Sequence, residues 1–219
     1  MKVLGFNGSP RKNWNTATLL RKALEGAASQ GAETEFVHLN DLRYRGCQSC
    51  FGCKTIGGKS YGSCATRDDL TPFLERVKTA DAIVMGSPVY LGAVTGGMRS
   101  FLERLIFPYL VYDAKSTTIF PRKIKTGFIY TMNMTEDTLK GGRFGFDHQI
   151  AATDQFLKRI FGVSEWMAST DTYQFEDYSR IYAPRFDPTT KARRRQEVFP
   201  LDCQKAFEMG ARLAGLDSG

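Results

Sequence analysis

The feature that most constrains this chain is a short apolar run that gives way, within a few residues, to a glycine-led polar loop and then to a helical pattern. Lys2 to Asn7 reads as a strand and Gly8-Ser9-Pro10 as a turn. Thr16 to Gln30 then places Leu19, Leu20, Ala23, Leu24 and Ala27 at helical spacing before Gly31. The alternation continues. Glu35 to Leu39 reads as a second strand, and Asp68 and Asp69 precede a helix carrying Leu70, Phe73, Leu74 and Val77. Ala82-Ile83-Val84-Met85-Gly86 is a continuous apolar run, as a central parallel strand covered on both faces requires. An amphipathic helix from Met98 to Leu105, a strand at 126–131, a helix at 149–161 and a strand at 163–168 follow, and the stretch from Thr189 to Leu216 reads as helix that must break near Pro200.

Strands alternating with helices predict an α/β domain: a doubly wound five-stranded parallel sheet, order 2-1-3-4-5, with helices on both faces and right-handed crossovers. Ligands in such a sheet bind outside the carboxyl ends of the strands, near the switch point between the first and third. The loops opening at Gly8, Ser87 and Thr131 are therefore the candidates. The 219 residues, 42% hydrophobic and 24% charged, fit one domain over 1–219. It carries a Cys-rich insertion at about 46–66 and long loops at about 107–125, 135–148 and 173–189. Those loops hold Phe107, Tyr109, Tyr112, Phe144, Phe146, Tyr173, Phe175, Tyr178 and Tyr182, which read as exposed and point to contact with a second subunit.

Several classes drop out. The amino-terminal apolar run reaches Gly8 too soon for a secretory leader, and no apolar run approaches membrane-spanning length, so a cytoplasmic protein with no membrane partner is expected. The formal charge of +7 raises the question of an anionic partner. The one tight basic run, Lys191-Ala192-Arg193-Arg194-Arg195, has no interleaved aromatics and reads as a solvated helix face, so no nucleic-acid partner is expected.

The loop from Gly8 to Thr16 has the chemistry of a phosphate site. Backbone N–H groups and the positive end of a helix dipole converge there; Ser9, Asn15 and Thr16 add hydrogen bonds, and Arg11 or Lys12 adds charge. No dinucleotide fingerprint or Walker lysine pattern accompanies it, so a mononucleotide fits better; a plain polar turn with a helix cap is the competing reading.

The run Gly5-Phe6-Asn7-Gly8-Ser9-Pro10-Arg11-Lys12 through Asn15-Thr16, with Gly86-Ser87-Pro88-Val89-Tyr90 and Thr170-Asp171-Thr172, resembles the NAD(P)H-dependent FMN reductases and the related iron-sulfur flavoproteins. The resemblance implies a flavodoxin-like fold with FMN at the three loop ends. It assigns Ser9, Arg11, Lys12, Asn15 and Thr16 to the phosphate, and Pro88, Val89, Tyr90, Leu91 and Gly92, with Thr131, Met132 and Asn133, to the flavin ring. Many members carry Gly where this chain has Trp14, a residue that would be strained if its φ had to be positive. The implied activity is an oxidoreductase passing electrons from NAD(P)H, or from a redox protein, through FMN to a small-molecule or protein acceptor. The chemistry is centred on the flavin and needs no catalytic side chain, so His38 and His148 read as structural or capping residues. Family sites are completed by a neighbouring subunit, which implies a homodimer or homotetramer. An electron carrier resembling flavodoxin and, from another class, a non-catalytic metal- or anion-binding regulator are the competing functions.

Four of the five cysteines, Cys47, Cys50, Cys53 and Cys64, fall in one segment, and two successive C-x2-C steps bring thiols towards one point. The iron-sulfur flavoproteins carry a compact four-cysteine motif at the corresponding place, which implies a 4Fe-4S cluster here. The ten-residue gap before Cys64 is longer than in those relatives, and empty thiols or zinc remain as alternatives. Cys203 reads as a buried helix residue.

Overall fold

The computed structural model describes residues 1–141 and 145–215. Strands β1 (Lys2–Asn7), β2 (Glu33–His38), β3 (Ala82–Tyr90), β5 (Ile124–Thr131) and β6 (Gly162–Ser169) form a parallel sheet in the order β2-β1-β3-β5-β6. The two-residue β4 (Ala93–Val94) folds back antiparallel on the end of β3. With β4 set aside, this is the order 2-1-3-4-5 read from the sequence.

Alternation along each strand explains why both faces are covered. Leu4, Phe6, Ile83, Met85, Phe128 and Tyr130 enter one apolar layer with α3 (Gly96–Ile106) and α5 (Phe146–Phe161). Val3, Ala82, Val84 and Ile129 enter the other, under α1 (Asn15–Ser29) and α7 (Phe199–Ala214). The last two helices meet closely: a Cβ at Gly26 would lie 1.9 Å from Phe207 O, and one at Gly210 would lie 1.7 Å from Ala23 O.

Several boundaries differ from the sequence reading. Strand β3 continues four residues past Gly86 to Tyr90, because Ser87 and Pro88 remain in register with Tyr130 and Thr131 of β5. Helix α5 starts at Phe146, three residues before Gln149. The carboxyl-terminal helix divides as expected near Pro200, into α6 (Pro188–Glu197) and α7, with Val198 between them; Leu216 lies outside the described residues. Short elements fill the rest, α2 (Thr71–Val77) before β3 and α4 (Glu136–Lys140) after β5.

The aromatics of the long loops are mostly not on the surface. Tyr109, Phe146 and Tyr178 are buried; the 107–125 excursion folds back on itself through the antiparallel Leu110–Thr118 bridge, and the Tyr109 ring meets Phe120 edge-on at 4.8 Å. Phe107, Tyr173 and Phe175 are partly covered, Tyr112 and Tyr182 stay exposed, and Phe144 lies outside the described residues. No described helix is long and apolar enough to cross a membrane.

Candidate functional site

At the carboxyl end of β1 the chain turns into α1 through a loop fixed from below. Gly8 N donates to Gly86 O at 2.8 Å, and a Cβ on Gly8 would meet Met98 Cβ at 2.8 Å, so a larger residue would push the loop off β3. Asn7 uses both ends of its amide: Nδ2 donates to His38 Nδ1 at 2.8 Å, and Oδ1 accepts from Ser9 N at 3.1 Å. Ser9 Oγ in turn accepts from Arg11 N at 3.1 Å. Burial lowers the His38 pKa, which keeps the ring neutral and Nδ1 free to accept. Trp14 precedes α1 with φ −116° and ψ −169°, an extended backbone that carries no strain for a large side chain.

Three donors of this loop point the same way. Arg11 Nη1 donates to Gln174 O at 2.7 Å, Trp14 Nε1 to Tyr173 O at 3.2 Å and Asn15 Nδ2 to Tyr173 O at 2.8 Å. A guanidinium, an indole and a carboxamide at the start of a fifteen-residue helix form a donor set suited to an anionic oxygen group. In this conformation two adjacent backbone carbonyls of a strap, residues 172–174, accept those bonds. The strap is itself tied to the sheet through Thr172 N and Thr172 Oγ1, both donating to Met132 O.

Behind the strap, a cleft of about 120 Å³ is lined by Ser9, Arg11, Trp14, Asn15, Thr16, Pro88, Val89, Tyr90, Thr131, Met132, Asn133, Thr172 and Gln174. It brings together all three loops singled out at the strand ends. Lys12 is not part of it: the ammonium pairs with Asp41 at 2.7 Å on the outer side of the loop, because the turn after β2 offers a carboxylate there. Leu91 and Gly92 also stand off the lining. They form the two-residue turn between β3 and β4, with φ of 51° and 77°, the left-handed pair that matches the twist of a tight hairpin. Leu91 is fully exposed at its tip, and Tyr90 is half exposed beside the cleft.

Thr95 joins the hairpin to the first loop. Its hydroxyl donates to Gly8 O at 2.7 Å and accepts from Met98 N at 3.2 Å, capping α3. Thr95 N donates to Ser87 Oγ at 3.1 Å. At the third loop, Thr131 Oγ1 meets Thr16 Oγ1 at 2.7 Å, and Asn133 Nδ2 donates to Gln174 Oε1 at 2.8 Å.

The basic run is not a solvated face. Lys191 is 4% exposed, and its ammonium bonds Asn133 Oδ1 and the carboxylate of Asp171. Arg194 pairs with Asp202 at 2.6 Å, and Asp202 also accepts from Ser169 Oγ at 2.6 Å. Arg195 Nη1 donates to Asn15 Oδ1 at 2.7 Å. Helix α6 lies against the strand ends, so Lys191 and Arg195 find partners distant in sequence, while Arg193 stays exposed.

The sheet order and its flanking helices agree with the comparisons. Residues 1–123 match the NADPH-dependent FMN reductase family over more than half the chain. The chain belongs to that family. An iron-sulfur flavoprotein of Methanocaldococcus jannaschii is 41% identical over 104 residues, covering 48% of this chain and 51% of that protein. The chain thus spans about half the length of the curated relatives it matches. In fold, an NAD(P)H:quinone oxidoreductase from Methanothermobacter marburgensis superposes with a TM-score of 0.69 at 16% identity, over 97% of this chain and 98% of that one. A flavodoxin from the domain Archaea gives 0.50 at 14% identity, over 98% and 96%. The fold is flavodoxin-like.

In this member of the FMN reductase family the cysteine segment leads from β2 towards α2. Cys47 and Cys50 are exposed, Cys53 is buried and Cys64 is half-buried against the core. The long gap does fold back: Gly62 N donates to Cys53 O at 3.0 Å, with Gly57 and Gly62 at φ of 74° and 71°. Burial pushes the Cys53 thiol up, and the buried Arg104 guanidinium donates to Asp68 Oδ2, Arg45 O and Thr66 O. Among the described residues, however, no three Cys, His, Asp or Glu side chains are grouped to hold one metal. The convergence read from the spacing is therefore not met. The chain reverses at Ser49 and Phe51, left-handed at φ of 53° and 54° on either side of Cys50, and Cys47 and Cys50 stay on the solvent side of the turn that buries Cys53. Cys203 on α7 is half-buried against the second apolar layer, and burial pushes its thiol up as well.

Proposed function

We propose that this chain binds FMN across the three strand-end loops and acts as an NAD(P)H-linked FMN oxidoreductase. The observation that carries the reading is the convergence of Arg11, Trp14 and Asn15 on two adjacent backbone carbonyls beside the first turn of α1. Those donors fit a phosphate monoester, and on this reading the Tyr173 and Gln174 carbonyls yield them when FMN enters. Ser9, Thr16 and Thr131 offer hydroxyls for the ribityl chain; Pro88 to Tyr90 and Met132 offer wall and backbone for the ring, with Asn133 at its polar side. Bound FMN supplies the hydride and single-electron chemistry. The chain's own part is to bind, orient and shield, and no side chain need carry a proton. The acceptor is a small molecule or a redox protein, in a cytoplasmic setting, and a homodimer or homotetramer would cover Tyr90 and Leu91, which stand in solvent at the open side of the cleft.

The test is direct. Protein denatured by heat should release FMN and not FAD, and Arg11→Ala should weaken FMN far more than riboflavin, since the guanidinium answers a phosphate. Turnover of NAD(P)H with a quinone or free flavin should follow FMN loading. Release of FAD, or equal losses for both flavins, would overturn the phosphate assignment; bound FMN without NAD(P)H turnover would favour an electron carrier, and a colourless protein that takes up no FMN would favour a non-catalytic regulator.

A second reading concerns the cysteines. The matched relatives are named iron-sulfur flavoproteins, and the Gly62–Cys53 bond brings Cys64 back beside the C-x2-C steps. A 4Fe-4S cluster here would require Cys47 and Cys50 to turn inward. Anaerobic reconstitution with iron and sulfide, followed by iron counting in Cys50→Ser and Cys64→Ser, decides it: equal loss of iron in both supports four thiolate ligands, and wild type without iron rejects the cluster.

A further inference from the structure

Two cations of α6, one helical turn apart, act on the two asparagines of the cleft. Arg195 Nη1 donates to Asn15 Oδ1 at 2.7 Å, and the Lys191 ammonium donates to Asn133 Oδ1. Arginine and lysine have only donors, so each carboxamide must turn its oxygen towards α6. The NH2 groups are thereby turned to the strap, where Asn15 Nδ2 meets Tyr173 O and Asn133 Nδ2 meets Gln174 Oε1, both at 2.8 Å. An asparagine without such an anchor can present its oxygen, which repels a phosphate, as readily as its NH2.

The two cations are not equivalent. Lys191 is neutralised by Asp171. Arg195 is held by the Phe199 ring, 4.0 Å from the guanidinium, and by Asn15; among the described residues no carboxylate pairs with it. Its charge therefore reaches the loop through Asn15, uncancelled and partly desolvated.

We propose that Arg195 is a positioning residue of the cleft, fixing the Asn15 carboxamide with its NH2 towards an incoming phosphate and so setting the preference for phosphorylated over unphosphorylated flavin. The proposal rests on the FMN reading above and extends it to a helix outside residues 1–123, where the family match lies. Arg195 touches Asn15, and through it the ligand.

The experiment measures FMN and riboflavin affinities by fluorescence quenching for wild type, Arg195→Met, Arg195→Lys, Asn15→Ala and the Asn15→Ala/Arg195→Met pair. Met keeps the stem against Phe199 without a donor or charge. Arg195→Met should weaken FMN by roughly tenfold or more, the scale of one charge-assisted hydrogen bond, while riboflavin changes by less than about threefold. Arg195→Lys, which keeps donor and charge, should recover most of the loss, and in the Asn15→Ala background Arg195→Met should have little further effect on FMN. Equal losses for the two flavins, no recovery by lysine, or full additivity with Asn15→Ala would each overturn the proposal. Should Arg195→Met fail to fold, the lysine variant decides: a selective fall in FMN affinity as large as that of Asn15→Ala would overturn it, and near-wild-type selectivity would uphold it. Wild type that does not prefer FMN to riboflavin would instead defeat the FMN reading itself, so the two failures are told apart.

Discussion

The hydroxyls of Thr16 and Thr131 meet at 2.7 Å, joining the first turn of α1 to the carboxyl end of β5 across the floor of the cleft. Both residues are almost fully buried, at 2% and 3% exposure. Each hydroxyl is the other's partner, so removing one strands the other. Thr16→Val and Thr131→Val should each cost about 1–3 kcal/mol in urea unfolding, and the double variant should cost clearly less than the sum. Additive losses would mean that the hydroxyls do not depend on each other.

The hairpin tip predicts a change of the opposite sign. Leu91 holds φ 51° while its side chain is wholly in solvent, so the backbone cost has no visible packing return. Leu91→Asn, a residue that tolerates the left-handed region, should raise stability by about 1 kcal/mol. An unchanged or lower unfolding midpoint would show that the leucine side chain contributes contacts of its own.

How much of this was legible in the sequence depends on the range of the signal. The apolar run at 82–86 and the Gly8-Ser9-Pro10 turn are local patterns, and they lead to the observed sheet order and to the three loops that line one cleft. Thr95 and Gln174 carry no such pattern, because their roles arise from contacts across the fold: Thr95 lies 87 residues from Gly8 and Gln174 lies 163 from Arg11. The basic run at 191–195 reads as a solvated face for the same reason. Its charge was plain, but Asn15, Asn133, Asp171 and Asp202, which bury it, are gathered only when α6 docks on the strand ends. The cysteine spacing was regular, yet spacing in a loop sets only reach. The left-handed residues at 49 and 51 decide where the thiols turn.

Gly26 and Gly210 were equally silent in sequence, being single glycines inside two helices. Gly210→Ala would set a methyl group 1.7 Å from the Ala23 carbonyl oxygen, a backbone atom that cannot rotate away. Helices α1 and α7 would have to separate, at a cost of about 3 kcal/mol. Because α1 carries Asn15 and Thr16, FMN affinity should fall together with the unfolding midpoint. A variant as stable as wild type would mean that the two helices can slide apart freely.

His38 is 8% exposed, and among the described residues its Nε2 has no hydrogen-bond partner. Burial is the largest influence on the ring and lowers its pKa below the ordinary 6.5; Asp41 opposes this, and Lys12 and Arg21 add to it. A group with a depressed folded pKa leaves stability untouched while the pH is above its unfolded value. As the pH falls below about 6.5 the unfolded chain takes the proton first, so stability declines, and the loss is complete once the folded ring also titrates. Protonation at Nδ1 also ends its role as acceptor for Asn7 Nδ2, which loosens the Asn7 link to Ser9 N and with it the phosphate loop. Wild type should therefore lose urea stability and FMN affinity together between about pH 7 and pH 5. The carboxylates of Asp41 and Asp81, lowered by Lys12 and by Lys2 N with Arg122 respectively, titrate below their ordinary 3.8 and stay outside that window. His38→Gln, which keeps an acceptor for Asn7 but takes no proton there, should flatten both profiles. A slope equal to that of wild type would assign the pH dependence to another group.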